Sequence, residues 1–130
     1  MRQILAVLLI VLGSASFAQE EDIQSTITSQ IEAFGEDDFE TAFSYASPSI
    51  QMLFGNPQRF EMMVRNGYPM VINPSELTYL PLEDREGLYL QQVQIRDQDG
   101  VLYRLEYQML QTNDVWRING VRFLPLDPAV

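Results

Sequence analysis

The stretch VLYRLEYQMLQ, residues 101–111, alternates apolar with polar side chains along most of its length. Successive side chains of a β-strand point to opposite faces, so the apolar ones share a face: Val101, Tyr103, Leu105, Tyr107 and Met109. This period of two predicts a strand whose apolar face covers a core. It decides the fold class, because such a face needs a second layer of structure packed on it.

Three neighbouring segments have the same period and predict strands at residues 76–83, 88–96 and 115–124. Short turns rich in Asp, Asn and Gly separate the four strands, which predicts antiparallel hairpins. Pro81 cannot donate to a β-ladder, so the first strand is placed at a sheet edge. In the last strand the apolar alternation changes phase at Asn119-Gly120, which predicts a β-bulge there.

Helical spacing precedes the strands. A first helix is predicted from an apolar stripe that stops at Gly35: Ile23, Ile27, Ile31 and Phe34. The sequence Asp37-Asp38-Phe39-Glu40 predicts the start of a second, short helix, because acidic and capping residues favour helix N-termini. Its predicted buried face consists of Phe39, Ala42, Phe43 and Ala46.

Two more helix starts follow the same rules. Ser47-Pro48 predicts a helix that ends before Gly55, and Asn56-Pro57 predicts one that ends before Gly67. The buried stripe of the last helix is predicted at Phe60, Met63 and Val64. Residues 68–72 are predicted to be extended. Together the elements predict an α+β fold, in which N-terminal helices pack on a curved antiparallel four-stranded sheet.

Residues 1–18 have the pattern of a secretory signal peptide: a basic start, the apolar run 4–12, and a small-residue exit. Ser16 and Ala18 are small enough for signal peptidase, so cleavage is predicted after Ala18. An apolar run of about nine to twelve residues is too short to cross roughly 30 Å of hydrocarbon. We therefore expect a periplasmic or secreted protein without a membrane span and with a single domain at residues 19–130.

Composition excludes several kinds of partner and chemistry. The net charge is −10, so nucleic acid and anionic membrane surfaces are poor partners. The sequence contains no His, Cys or Lys, which excludes imidazole catalysis, thiol nucleophiles, the usual zinc sites and Schiff-base chemistry. The run Asp97-Gln98-Asp99-Gly100 lacks the further ligands of a calcium loop and is interpreted as a turn. No metal or cofactor is expected.

Two family resemblances rest on these elements. The string Trp116-Arg117-Ile118-Asn119-Gly120-Val121, after paired helices and hairpin strands, resembles the end of nuclear-transport-factor-two-like domains, the SnoaL-like and cystatin-like rolls. A narrower set of motifs resembles the exported bacterial family named domain of unknown function 4864: Gln30-Ile31-Glu32-Ala33-Phe34, Ala46-Ser47-Pro48 and Gly67-Tyr68-Pro69-Met70-Val71. The resemblance covers about residues 23–123. It implies a cone-shaped α+β roll and no particular activity.

Aromatic side chains on the predicted inner face are the candidate ligand-binding residues. We predict that Tyr68, Tyr103, Tyr107 and Trp116 line an apolar pocket inside the cone, with hydroxyls at its mouth. Four further aromatic residues share that face: Phe39, Phe43, Phe60 and Tyr89. The same side chains also fit a filled core, because protein interiors pack densely. Both interpretations stay open at this point.

The favoured function is a non-catalytic binding or interaction module for a small apolar ligand or a protein partner. The alternative is a small-molecule enzyme that uses Tyr and a carboxylate in the cone. Carboxylates are predicted to face water instead, because these acids fall off the inner face: Glu32, Glu40, Glu61 and Glu106. Glu83 is the one doubtful case, since it is in phase with the inner residues of its strand.

The outer sheet face is predicted to carry four arginines: Arg96, Arg104, Arg117 and Arg122. Gln92, Gln94 and Gln108 lie between them, together with Leu88, Leu90, Leu102 and Leu110. This mixture fits a solvated surface and a symmetric homodimer contact about equally well.

Overall fold

The computed structural model describes residues 12–126, with side chains from Phe17 onward. In this part of the chain, helices precede a five-stranded antiparallel sheet that is curled but open, which confirms the α+β prediction. Most of the predicted signal peptide, residues 1–11, lies outside the described residues. None of the described helices is long and apolar enough to cross a membrane.

The helices are α1 (Leu12–Gly35), α2 (Phe39–Ser44), α3 (Pro48–Phe54) and α4 (Pro57–Gly67), followed by a 3₁₀ turn at Pro69–Val71. The strands are β1 (Glu76–Tyr79), β2 (Glu83–Arg85), β3 (Leu88–Arg96), β4 (Leu102–Thr112) and β5 (Val115–Leu124). The strand order is β1-β3-β4-β5, and β2 pairs with β3 beyond the end of β1. All pairings within the sheet are antiparallel.

Helix α1 buries the predicted stripe, since Ile23, Ile27, Ile31 and Phe34 all belong to the core. The helix begins at Leu12, earlier than the stripe predicts. Its first described side chain, Phe17, is 72% exposed. Among the described side chains of α1, the buried ones start at Ile23.

The end of α1 differs in mechanism from the prediction. The residue that leaves the helix with a left-handed conformation is Asp37, with φ of 58°, rather than Gly35. The amides of Asp37 and Asp38 donate to the carbonyls of Phe34 and Ala33, which is the Schellman pattern of a helix end. Gly35 serves a different purpose, because a Cβ there would lie only 2.6 Å from Asn73 Oδ1.

The three predicted helix starts after α1 are confirmed by their caps. The side chain of Asp38 accepts from the amide of Thr41, Ser47 accepts from Ile50, and Asn56 accepts from Arg59. Each cap satisfies one amide that has no partner within its own helix.

The predicted extended stretch at residues 68–72 is wrong. Pro69–Val71 forms a 3₁₀ turn, in which the amide of Val71 donates to Tyr68 and the amide of Ile72 donates to Pro69. The fixed φ of Pro69 suits the first position of such a turn. Met70 and Val71 are buried in this turn. Burial and the geometry of Pro69 therefore favour a 3₁₀ turn over the extended conformation that the apolar run predicts.

The prediction of one continuous strand at residues 76–83 is also wrong. Two strands are present there, so the sheet has five strands instead of four. It is split into β1 and β2, and the break contains Pro81. Proline lacks the amide hydrogen that a ladder needs. Both pieces pair along the same side of β3, which confirms the predicted edge position.

The predicted β-bulge in β5 is confirmed. Gln108 faces Gly120 and Met109 faces Ile118, so Asn119 is the extra residue. Beside it, the Ile118 amide donates to Tyr45 and the Ser47 amide donates to Ile118. The link between α2 and α3 therefore covers the edge of β5 at the bulge.

Candidate functional site

An apolar cleft of about 200 Å³ opens between the helices and the inner face of the sheet, beside the bulge. The helical part of its lining is aliphatic and aromatic: Phe34, Ile50, Phe54, Phe60, Met63 and Val64. The sheet contributes Tyr107, Ile118, Gly120 and Val121, and the wall is completed by Gln30, Ala46, Tyr68 and Val71. Every lining residue is uncharged, so the cleft offers an apolar surface to a guest molecule.

Helix α3 forms one wall of the apolar cleft through Ile50 and Phe54. None of its residues is fully buried. It is held at its start by Ser47, which donates a 2.7 Å hydrogen bond to Asn119 Oδ1 in the bulge. The wall of the cleft is thus anchored to the sheet at the point where β5 bends.

Two buried polar side chains line the cleft, Gln30 and Tyr107, which are 4% and 1% exposed. Gln30 Nε2 donates to the carbonyl of Ala42 at 3.1 Å. Its Oε1 accepts no hydrogen bond from residues 12–126, and the Tyr107 hydroxyl makes none with them. Both residues belong to the lining of the apolar cleft.

Tyr68 stands at the mouth of the cleft and is fixed to β5. Its hydroxyl donates to the carbonyl of Val121 at 3.0 Å. Its ring stacks on that of Phe123, with centroids 5.0 Å apart and planes at 3°. The hydrogen bond satisfies the Tyr68 hydroxyl and leaves its ring as an apolar wall.

Burial changes the acidity of two phenols on the inner face. It raises the pKa of Tyr107 far above the ordinary value, and the phenols of Tyr79 and Tyr68 raise it further. Burial also raises the pKa of Tyr79, although a hydrogen bond with Thr28 opposes the shift. The Tyr107 hydroxyl therefore stays protonated at any physiological pH and remains both a donor and an acceptor.

The structure brings together two of the four predicted ligand-binding residues. Tyr68 and Tyr107 line the apolar cleft, whereas Tyr103 and Trp116 do not. Tyr103 is half-buried against the core. Trp116 is buried and meets Tyr89 edge-on, with centroids 5.0 Å apart. These two residues therefore lie outside the apolar cleft, and a ligand-binding role for the four aromatic residues stays a prediction.

Sequence reasoning missed several lining residues, of which Gln30 is the most informative. A signal for it existed, because Gln30 lies three residues after Ile27 and four before Phe34, within the apolar stripe of α1. A polar side chain in such a stripe faces either a buried partner or a cavity. Ile50 and Phe54 gave no comparable signal, since their helix has no buried stripe.

The Tyr–carboxylate pair required by the enzyme alternative is not assembled in the apolar cleft. Among residues 12–126, no Asp or Glu lines it. Glu83, the doubtful case, lies on the edge strand β2 and pairs with Arg85 at 2.7 Å. Glu106 points to the outer sheet face, as expected from the alternation of β4.

Glu106 corrects the expectation that carboxylates face water. It is 5% exposed although it lies on the outer sheet face. Arg122 Nε donates to Glu106 Oε1 at 2.7 Å, and this hydrogen bond raises the pKa of Arg122. The arginine itself is mostly exposed. The buried carboxylate is thus paired with an arginine that is itself largely in water.

The rest of the outer sheet face mixes leucines with paired charges. Leu90 is buried and Leu88 is exposed, and both line a shallow depression with Glu106 and Arg122. Arg96 pairs with Glu76 at 3.3 Å. Pairing of two copies through this face stays a prediction.

The acidic turn after β3 is explained by its own hydrogen bonds. Asp97 Oδ1 accepts from the amides of Asp99 and Val101 at 3.0 and 2.9 Å. Residues 12–126 contain no group of three or more acidic side chains arranged to hold a metal ion.

Comparisons with known proteins identify a family for the chain. The model of a family described as Domain of unknown function (DUF4864) matches residues 16–129. No curated protein and no solved structure matches the chain, so the nuclear-transport-factor-two-like superfamily stays a prediction. The match spans nearly the whole chain beyond its N-terminal segment. The chain belongs to the DUF4864 family.

Proposed function

We propose that this protein is an exported binding module that holds one small, largely apolar molecule in the cleft between its helices and its sheet. The observation that supports the proposal is the cleft itself, whose lining is uncharged and contains two buried polar oxygens without protein partners. Ligand sites commonly combine an apolar lining with a few polar groups that fix orientation. These two features favour a ligand site over a fully packed core.

The volume of the cleft sets the size of the ligand. An engineered apolar cavity of about 150 Å³ in another protein binds benzene. By proportion, a cleft of about 200 Å³ holds roughly eight non-hydrogen atoms, which corresponds to a single substituted ring or a short alkyl chain. The ligand is therefore smaller than most cofactors and drugs.

Export is part of the proposal, and it is supported by the N-terminal sequence and by the packing of α1. Phe17 and Ala18 are exposed, and the first buried side chain from Phe17 onward is that of Ile23. Cleavage after Ala18 would remove no described core contact. Expression of the full chain in a bacterium with an export pathway, followed by mass spectrometry of the periplasmic fraction, tests this. Accumulation of only the uncleaved chain in the cytoplasm would contradict export.

Binding is tested by two-dimensional amide NMR titration with p-xylene, benzene and cyclohexane. We expect saturable shifts at residues that line the cleft, such as Gly120 and Val121. The Ile50→Trp substitution fills the cleft from α3 and should abolish the shifts. The Met52→Trp control places the same side chain on the same helix at a position that is 84% exposed, and it should bind as the wild type does.

Two results would overturn the proposed function. One is the absence of saturable shifts with all three compounds. The other is unchanged binding by the Ile50→Trp variant, because a ligand that tolerates tryptophan at that position is bound elsewhere.

A further inference from the structure

The identity of the two unpartnered oxygens limits the chemistry of the ligand, provided that the apolar cleft binds one as proposed above. We propose that the ligand is a neutral alcohol or phenol, whose hydroxyl group hydrogen-bonds to the oxygens of Gln30 and Tyr107.

Gln30 presents an acceptor to the cleft. Its amide is held in one orientation because Nε2 donates to the Ala42 carbonyl at 3.1 Å, and a carbonyl oxygen can only accept. The other end of the amide, Oε1, has no hydrogen-bond partner among residues 12–126, and Gln30 lines the cleft. A buried acceptor without a donor is unfavourable. A ligand that donates a hydrogen bond removes this penalty, and a ketone, ester or hydrocarbon does not.

Tyr107 can serve as either a donor or an acceptor. Its hydroxyl is protonated throughout the physiological range because burial disfavours the phenolate. It makes no hydrogen bond with residues 12–126. A ligand hydroxyl can accept from Tyr107 while it donates to Gln30, and few other small groups combine both roles without a charge.

Charged ligands are disfavoured by the lining. None of its residues carries a charge, so an anion would lose its water and gain no cation in return. The Gln30 oxygen would also repel a carboxylate. A cation would meet no carboxylate in the cleft, because no Asp or Glu from the described residues lines it. Neutral hydroxyl compounds remain as the class that satisfies both oxygens.

The test compares three probes of similar size: p-cresol, p-xylene and 4-methylbenzoate at pH 7. Affinity is measured on the purified protein by amide NMR titration. A net hydrogen bond contributes about 1 kcal/mol, so p-cresol should bind about five- to tenfold more tightly than p-xylene. The carboxylate should give no saturable shifts at the cleft residues.

The Tyr107→Phe variant tests whether the Tyr107 hydroxyl causes the preference for p-cresol over p-xylene. Removing an unbonded buried hydroxyl should leave the fold intact, because no protein hydrogen bond is lost. We expect the affinity for p-cresol to fall severalfold, toward that for p-xylene, while the affinity for p-xylene stays the same. Gln30→Met is the second variant, and its unfolding midpoint is measured first because it also loses the bond to Ala42.

The outcomes separate this inference from the proposed function. If no probe binds, the proposed function fails and the inference fails with it. If p-xylene binds as tightly as p-cresol, or if Tyr107→Phe leaves the affinity for p-cresol unchanged, binding stands and the hydroxyl-specific inference is overturned. Tightest binding by 4-methylbenzoate would also overturn it.

Discussion

The two faces of β4 are buried by different means. On the inner face, Leu105 and Tyr107 are covered by the core that the helices and sheet share. On the outer face, Glu106 is nearly as inaccessible, but it is paired with Arg122 from the next strand. The Tyr107 hydroxyl therefore has no hydrogen-bond partner among residues 12–126, although the core buries it. The Glu106 carboxylate, in contrast, has a partner in Arg122. Low exposure alone does not show which kind of environment a residue occupies.

The inner and outer faces of β4 should differ most in how much stability is lost when a leucine on each face is truncated to alanine. Leu105→Ala should lower the free energy of unfolding by about 2–5 kcal/mol, because the side chain is fully buried and its removal leaves a cavity that the neighbours fill only in part. Leu110→Ala on the outer sheet face should lower it by about 1 kcal/mol or less, since Leu110 is only half-buried. Urea denaturation measures both. Equal losses would show that the two faces are packed alike.

Alkaline pH should lower the stability of the protein through the two phenols on the inner face, Tyr79 and Tyr107. The pKa values of Tyr107 and Tyr79 are raised in the folded protein, whereas unfolded tyrosine titrates near 10. Below about pH 10 their contribution to stability is fully present. Above it, the unfolded chain loses phenolic protons that the folded chain keeps, so the free energy of unfolding falls by up to about 1.4 kcal/mol per pH unit for each residue.

The sequence makes this measurement unusually direct, since there is no Lys or Cys to titrate in the same range. Urea denaturation from pH 8 to 11 should give a shallower decline for Tyr107→Phe than for the wild type. Identical declines would mean that Tyr107 ionises as readily in the folded state as in the unfolded one.

The outer sheet face is tested through its ion pair. Glu106→Gln keeps the shape of the side chain and removes its charge, so stability should fall, by less than half of the loss caused by Leu105→Ala. Because Arg122 is largely in water, salt should weaken the pair. A double-mutant cycle with Arg122→Gln, at low salt and in 1 M NaCl, measures the coupling. A coupling that salt leaves unchanged would place the pair in a drier environment than its exposure indicates.

The smallest effect is expected for a leucine that neither face of the sheet covers. Leu53 on α3 is 71% exposed. Leu53→Ser should change the free energy of unfolding by no more than about 0.5 kcal/mol. Urea denaturation of Leu53→Ser, in parallel with the Leu105→Ala and Leu110→Ala variants, measures this change. A large loss for Leu53→Ser would mean that a contact outside the described residues covers α3.

Local signals in the sequence predicted most of the fold. Caps at Asp38, Ser47 and Asn56, the bulge at Asn119 and the edge position of Pro81 each follow from the chemistry of one or two neighbouring residues. The errors at Pro69–Val71 and at the break between β1 and β2 arose where proline geometry competed with an apolar pattern.

The candidate site was less predictable than the fold. Alternation predicts which side of β4 faces inward, but it does not show where the helical layer leaves a gap. Tyr103 and Tyr107 have the same phase, yet only Tyr107 lines the apolar cleft. The ion pair of Glu106 with Arg122 was missed for a similar reason. It depends on the register of β4 and β5, which the bulge shifts.

Helix α3 is attached to the sheet at its start, where Ser47 bonds to Asn119 in the bulge, and to α4 at its end, where the ring of Phe54 meets that of Phe60 edge-on. Ile50 and Phe54 line the cleft, and Phe54 also packs against the core. Under the proposed function, a larger or smaller side chain at Ile50 or Phe54 would change the volume of the cleft without changing a strand pairing. The size of the ligand that fits is then adjustable from one short helix, while the sheet beneath it stays the same.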